Sequence, residues 1–379
     1  MDKNEEWINK LLEPSGIKIN GENPWDIKIL NQRVYDRIKA EGSLGLGESY
    51  MEGWWDCNNL DQFFYKLFLA KIPEKVGFSI PLVLGVIATK IFNLQKKSRA
   101  FQIAERHYDL DNKLFSAMLG KTMAYSCGYW KKAKDLDSAQ FAKYDLICRK
   151  LGLKKARPST GSGQNLRILD IGCGWGGFAK YTAENYKVSV VGITVSKEQA
   201  EFAKKLCAKL PVEIRVQDYR DLNEKFDHIV SVGMIEHVGL KNYKTYFEAA
   251  KRCLRNDGLF LLHTIGLTSG HSTDPWINRY IFPNGALPSL KQITTGIEKY
   301  FIIEDVHNFG ADYDKTLMAW HKKFLEAWPK FKDTYDDRFY RMWNYYILSC
   351  AGNFRSRQTQ LWQIALSPQG VPGGYKSVR

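Results

Sequence analysis

The chain has 379 residues, 44% of them hydrophobic and 25% charged, which excludes a disordered polyelectrolyte and allows two domains, one of them small. Its formal charge of +14 asks for a polyanionic partner, nucleic acid or an anionic membrane face, and 13% aromatic content suits a large apolar substrate as well as base stacking. Seven cysteines without a C-x-x-C or any paired spacing give no disulfide framework and no metal site, and the charged N-terminus MDKNEEWINKLLEP has no signal-peptide core, so a reducing cytoplasm is expected.

Residues 7–12 predict a short helix, and 17–29 a pair of short strands turning at Asn20 and Gly21. The stretch GSLGLGESYMEGWW (42–55), dense in glycine and aromatics, reads as a loop, either packed on its neighbours or functional. Residues 76–92, VGFSIPLVLGVIATKIF, are the most apolar. Pro81 and Lys90 interrupt them, and they fall short of the roughly 20 residues that cross a bilayer. They suit a buried helix or, with Lys96, Lys97 and Arg99 following, one lying on an anionic membrane. Residues 137–151 read as helical, and 154–164 (KKARPSTGSGQ) have linker composition.

The organising stretch follows: LRILDIGCGWGGF, 166–178. A short apolar run ends at Asp170, a cluster of glycines comes next (Gly172, Gly174, Gly176, Gly177), and a helical pattern begins. This is how the first strand of a doubly wound α/β sheet hands over to its first helix. Glycine lets the backbone turn tightly and approach a ligand closely. The spacing D-x-G-x-G-x-G differs from the G-x-G-x-x-G of pyrophosphate binding. An acid inside the motif, Asp170, can receive the ammonium of a methionine moiety, so S-adenosylmethionine (SAM) is favoured over a dinucleotide.

Further strands are predicted at 188–193, 212–216, 228–232, 259–264 and 301–306, with a helix over 243–254 and a turn at 256–258. Strands alternating with helices argue for a parallel sheet. Ligands in such sheets sit beyond the carboxyl ends of the strands. That rule gathers Asp170, Thr194, Asp218, Glu236, His263 and the pair Asp312 and Tyr313 into one crevice. Thr194, with Ser196 and Gln199, stands where an acid usually accepts the ribose hydroxyls, and Asp218 is placed for the adenine amino group. Glu236 and His263 fall at neighbouring strand ends beside the expected methyl donor, which makes them candidates for orienting a base or an anion; His237 is the alternative.

Taken together, the chain resembles the cyclopropane fatty acyl phospholipid synthases and the related mycolic acid cyclopropane synthases. The segments that carry the resemblance include GSLGLGESYMEGWW (42–55), FNLQKKSRA (92–100), HYDLDNKLF (107–115), YSCGYW (125–130), LDIGCGWGG (169–177), VSVGMIEHVG (230–239), LLHTIG (261–266), DPWINRYIFPNG (274–285), NFGADYDKTLMAW (308–320) and CAGNFR (350–355). The resemblance implies a Rossmann-like class I SAM-dependent methyltransferase fold, with a smaller, mainly helical lipid- or membrane-binding domain over 1–95 and the catalytic domain over 96–379. It further implies that the methyl carbon of SAM is added to a cis double bond of a membrane phospholipid acyl chain. Proton loss from the resulting carbocation to a bound bicarbonate then closes the ring. The bicarbonate pocket carried over is Cys127, Glu236, His263, Ile265 and Tyr313, with Cys127 and Ile265 contributing backbone amides. The SAM contacts carried over are Tyr125, Ser126, the glycine loop with Cys173, Thr194, Gln199, Asp218 and Tyr219. Cys350, in CAGNFR, reads as a small buried thiol, because methyl transfer to an alkene needs no thiolate. A homodimer at the inner leaflet of the cytoplasmic membrane is implied, with no nucleic-acid partner.

Three rivals remain at this stage. One is a lipid C-methyltransferase giving a methyl-branched or methylene product on the same scaffold. The second is a nucleic-acid methyltransferase, for which MIEH after the fourth strand replaces the D/N-P-P-Y type expected. The third is a lipid-binding protein that does not use SAM.

Overall fold

The structure, a computed structural model, describes residues 3–75, 112–155, 166–268 and 274–379. The apolar stretch 76–92, the cluster Lys96, Lys97 and Arg99, and residues 156–164 of the linker lie outside the described residues. The chain forms two compact units. The first joins Met1–Asn93 to Ser272–Pro283 and Tyr313–Thr359; the second holds Leu94–His271, Asn284–Asp312 and Gln360–Arg379. Among the described residues no helix is long and apolar enough to cross a membrane.

In the first unit, β1 (Lys28–Ile29) pairs antiparallel with β2 (Trp55–Asp56). The hairpin expected over 17–29 is therefore replaced by a single parallel bridge, Ile19 to Ile27, and a longer-range pairing. Asp26 explains the difference, since its carboxylate accepts from the amides of Lys18 and Asn23, both at 2.9 Å, and holds the segment as a loop. The stretch expected to be a loop at 42–55 is mostly helix, Ser43–Met51. Its glycines serve close packing. A Cβ on Gly45 would stand 2.4 Å from the Arg37 carbonyl oxygen, and one on Gly47 2.3 Å from Cδ1 of Trp276.

Later segments join this unit through aromatic packing. Trp276 is fully buried, its ring 4.4 Å from Tyr345 and its indole Nε1 3.3 Å from the Met51 sulfur. In the helix Asp337–Arg355, Gly352 lets Phe64 and the Tyr65 backbone come close. Arg355 binds Asp314 through two nitrogens, at 2.9 and 2.8 Å, and Asp61 at 2.6 Å.

The second unit is built on a seven-stranded sheet. Its members are β3 (Arg167–Ile171), β4 (Ser189–Thr194), β5 (Val212–Val216), β6 (Phe226–Val232), β7 (Leu254–Leu267), β8 (Ile302–Asn308) and β9 (Thr359–Ser367), in the order β5-β4-β3-β6-β7-β9-β8. Strands β3 to β7 pair in parallel, as alternation with helices predicts. The last strand expected, β8, instead pairs antiparallel with β9, a strand not foreseen. Strand β9 is buried along almost its whole length, so TQLWQIALS lacks the two-residue alternation that betrays a half-exposed strand.

The turn expected at 256–258 is absorbed into β7. Phe226 faces Leu254, but His228 faces Leu259, so Asn256, Asp257 and Gly258 bulge out of the ladder. Adjacent residues feed opposite layers, because side chains alternate along a strand. Leu169, Val191, Ile229, Phe260 and Ile364 pack with Tyr246, Phe247 and Ile293 on one face. Ile168, Val190, Val230, Leu261 and Ala365 pack with Ile147, Phe178 and Tyr186 on the other.

Candidate active site

Where β3 ends, Gly172, Gly174 and Gly176 have φ of +82°, +53° and +83°, a region that L side chains rarely adopt. The loop is pinned by the amides of Gly172 and Cys173, which both donate to the Ile193 carbonyl at 2.9 Å. A Cβ on Gly172 would strike Met234 at 2.8 Å, whereas Gly174 faces open space. Asp170 is 2% exposed, and no hydrogen bond from the described residues reaches its carboxyl. Burial pushes it up to about 7, with Lys143 pulling the other way. A glycine loop with open space at Gly174 and a buried carboxyl beside it fit the methionine end of SAM.

Lys143 and Gln140 are residues that the sequence reading missed. Both lie in the helix Leu136–Lys150 and are fully buried. Lys143 Nζ donates to Ser126 Oγ, and Gln140 Nε2 to the Ser126 carbonyl, each at 2.7 Å. Ser126 is thus clamped at both polar ends by side chains one helical turn apart. Burial pulls Lys143 down to about 7, with Cys127 and Asp170 opposing. Tyr125 stands edge-on to Phe115 at 5.3 Å. A signal was available, since a lysine inside an apolar helical pattern is rarely buried without a partner.

At the end of β4, Thr194 Oγ1 donates to Gln199 Oε1 at 3.0 Å and accepts from the Ser196 amide at 3.2 Å, and Ser196 caps the next helix. These uncharged groups lie together as expected. Asp218 carries a partner that was not foreseen: Oδ1 accepts from the Arg220 amide and Nε, and Oδ2 accepts from Nη2 at 2.6 Å. An adenine amino group would share this carboxylate with the guanidinium, using its remaining lone pairs. Tyr219 is buried against Tyr246, 5.3 Å ring to ring.

Glu236 is the second residue of the short helix Ile235–Val238 just past β6, and His263 lies on β7 opposite Val232. The Ile265 amide, which the resemblance assigns to a bound anion, donates to Glu236 Oε1 at 2.8 Å. Ile265 thereby holds one oxygen of Glu236. Burial pushes Glu236 up to about 7. His263 is 1% exposed, and burial, with Lys143 next, keeps it well below 6.5, so its ring is neutral. Gln363 Nε2 on β9 lies 3.3 Å from His263 Nδ1, a contact in which the amide donates when the imidazole proton is on Nε2. Glu236 Oε2 and His263 Nε2 are both buried without a hydrogen-bond partner. Two unsatisfied buried groups at adjacent strand ends mark a place for a small polar guest.

Cys127 is fully buried in the same unit, its thiol 3.1 Å from the Gly128 carbonyl. Tyr313 belongs to the first unit, in the helix Ala311–Ala327, with its ring 4.4 Å from Phe354. Asp312, one residue earlier, accepts from the Trp130 amide at 2.8 Å within the second unit. Cys350 also lies in the first unit, where burial pushes its thiol up to about 12, so it is no thiolate at neutral pH. Among the described residues no group of three or more His, Cys, Asp or Glu could hold a metal ion.

A mostly parallel sheet with a glycine loop after β3 and a buried acid at that strand's end is the arrangement of a SAM-dependent methyltransferase. Residues 95–364 match the family model described as mycolic acid cyclopropane synthetase, and the chain belongs to that family. It is 53% identical over 372 residues to the cyclopropane-fatty-acyl-phospholipid synthase of Escherichia coli (strain K12), covering 98% of this chain and 95% of that one. It is 36% identical over 274 residues to a probable fatty acid methyltransferase of Pseudomonas putida, covering 68% and 67%. Among solved structures it is similar to the mycolic acid cyclopropane synthase CmaA1 complexed with SAH and CTAB, at TM-score 0.63 and 30% identity, covering 70% of this chain and 97% of that one.

Proposed function

We propose that this enzyme adds the methyl carbon of SAM across a cis double bond in the acyl chain of a membrane phospholipid and closes a cyclopropane ring. The observation that carries the reading is the pair of partnerless buried atoms, Glu236 Oε2 and His263 Nε2, in a chain so similar to a phospholipid-directed relative. SAM, when bound, supplies an electrophilic methyl carbon. Asp170 receives its ammonium, and the Ser126 clamp, Thr194 and Gln199 fix its orientation. Glu236 and His263 would hold a bicarbonate ion, with Cys127 and Tyr313 joining by resemblance, and that ion would supply the proton acceptor. A carboxyl held near 7 and a neutral Nε2–H can both donate to such an anion, whereas two bare anions would repel. Exclusion of water keeps the cation on the acyl chain from being quenched before it loses its proton.

In this proposal residues 1–95 contact lipid and 96–379 carry the chemistry. The protein works as a homodimer, peripherally bound at the inner leaflet of the cytoplasmic membrane. The test is to incubate protein, SAM and vesicles of cis-monounsaturated phospholipid. Acyl chains heavier by one CH₂, with ring protons and no olefinic signal, support the reading. A methyl-branched or methylene product would support the lipid C-methyltransferase alternative, and no mass gain would overturn both.

A further inference from the structure

A second feature of the methyltransferase unit lies outside the catalytic cluster. A cavity of about 640 Å³ runs between the segment after the Glu236 helix and the helix Leu290–Ile297. Its lining includes Lys241, Lys244, Lys291 and Lys299, against one acid, Glu298. All four lysines are exposed, and none has an ion-pair partner among the described residues. Leu240 and Leu290, 44% and 37% exposed, also line the cavity.

We propose that this groove is a second docking site for anionic phospholipid head groups, in addition to the lipid contact of residues 1–95, with the lysines meeting the phosphates and the two leucines entering the headgroup layer. The inference rests on the reading of the chain as a phospholipid-directed enzyme. Charge complementarity selects the occupant, because cations beside exposed aliphatic side chains suit a membrane surface. A nucleic-acid backbone would meet the charge and leave the leucines unused. The groove is also tied to the catalytic segment: the Ala286 amide donates to the Glu236 carbonyl at 2.8 Å, and the Leu267 amide to Pro288 at 2.9 Å, next to the lining residue Ser289.

The test uses the full chain and sedimentation with vesicles of phosphatidylglycerol and phosphatidylcholine, compared with phosphatidylcholine alone, at about 0.1 M salt. A lysine near an anionic surface contributes roughly fivefold in partitioning, so the double variant Lys241→Gln/Lys244→Gln is expected to lose roughly 25-fold on the anionic vesicles. Lys291→Gln/Lys299→Gln should lose as much, while binding to the neutral vesicles stays the same. The control pair Lys204→Gln/Lys205→Gln, exposed on another helix, should lose far less, and SAH titration of every variant reports on an intact fold. Unchanged anionic binding in the groove variants, or an equal loss in the control pair, overturns the proposal. So does duplex RNA that binds more tightly than vesicles with the same lysine dependence. Failure of methyl transfer to every phospholipid, with vesicle binding intact, would count against the functional reading and not against the groove.

Discussion

The Ile265 amide donates to Glu236 Oε1 at 2.8 Å, while Oε2 of the same carboxyl is buried with no partner. One oxygen is anchored by backbone that no side-chain substitution removes, and the other is left for a guest. Glu236→Gln keeps an oxygen acceptor for Ile265 but loses the titrating proton. Turnover should fall by roughly 10² to 10⁴, the usual weight of a positioned acid or base, while SAH affinity stays near wild type. His263→Ala should show the same split. Wild-type rates in both variants, measured beside SAH titrations, would move the proton acceptor elsewhere.

Stability should register the same carboxyl. Burial raises Glu236 from 4.5 to about 7, so the folded state holds its proton more tightly than the unfolded chain does. That contribution is fully present below about pH 4.5 and is lost as pH rises through 7. Glu236→Gln removes it, so the variant's Tm should gain on wild type between pH 5 and 7.5. Parallel Tm curves over that window would show that the carboxyl does not titrate there.

Lys143 offers a pH test of cofactor binding. An ammonium pairs with the ionised Asp170 carboxyl, which burial holds near 7, so SAM affinity should weaken as pH falls below 7. Lys143→Met removes the hydroxyl half of the Ser126 clamp and the opposing charge, so the midpoint should move up and SAH Kd at pH 7 should rise roughly tenfold. The Tm should hold or increase, because an apolar side chain replaces a buried amine. Calorimetric titration from pH 6 to 8 checks this; a flat profile in both proteins would sink it.

In the first unit, Gly47→Ala pits two effects against each other. Alanine inside the helix Ser43–Met51 is worth about 1 kcal/mol over glycine. The added Cβ would sit 2.3 Å from the fully buried Trp276 ring, and overpacking of that kind costs about 1 to 3 kcal/mol. Net destabilisation is expected, seen as a lower denaturant midpoint. An increase would mean that Trp276 shifts freely.

Much of the second unit was legible because its signals are local. The strand, glycine turn and helix at 166–178 are one continuous pattern, and β4 to β6 follow it at regular spacing. Glu236 and His263 could be paired from the rule that strand ends converge. What escaped was set by distant partners. Strand β9 is buried on both faces and shows no alternation. Gly45 and Gly47 look like loop residues until Arg37 and Trp276 are found against them. The turn at 256–258 became a bulge because β6 runs beside it.

The sequence alone determined the fold class, the glycine loop and the family, and singled out Glu236 and His263 as candidates, since each rests on residue type and short spacing. Only the tertiary structure decided which atoms are left partnerless, that Ile265 grips Glu236, that Lys143 and Gln140 hold Ser126, and that segments 272–283 and 313–359 join the first unit. Protonation and hydrogen-bond satisfaction depend on burial, and burial is fixed by neighbours that arrive from far along the chain.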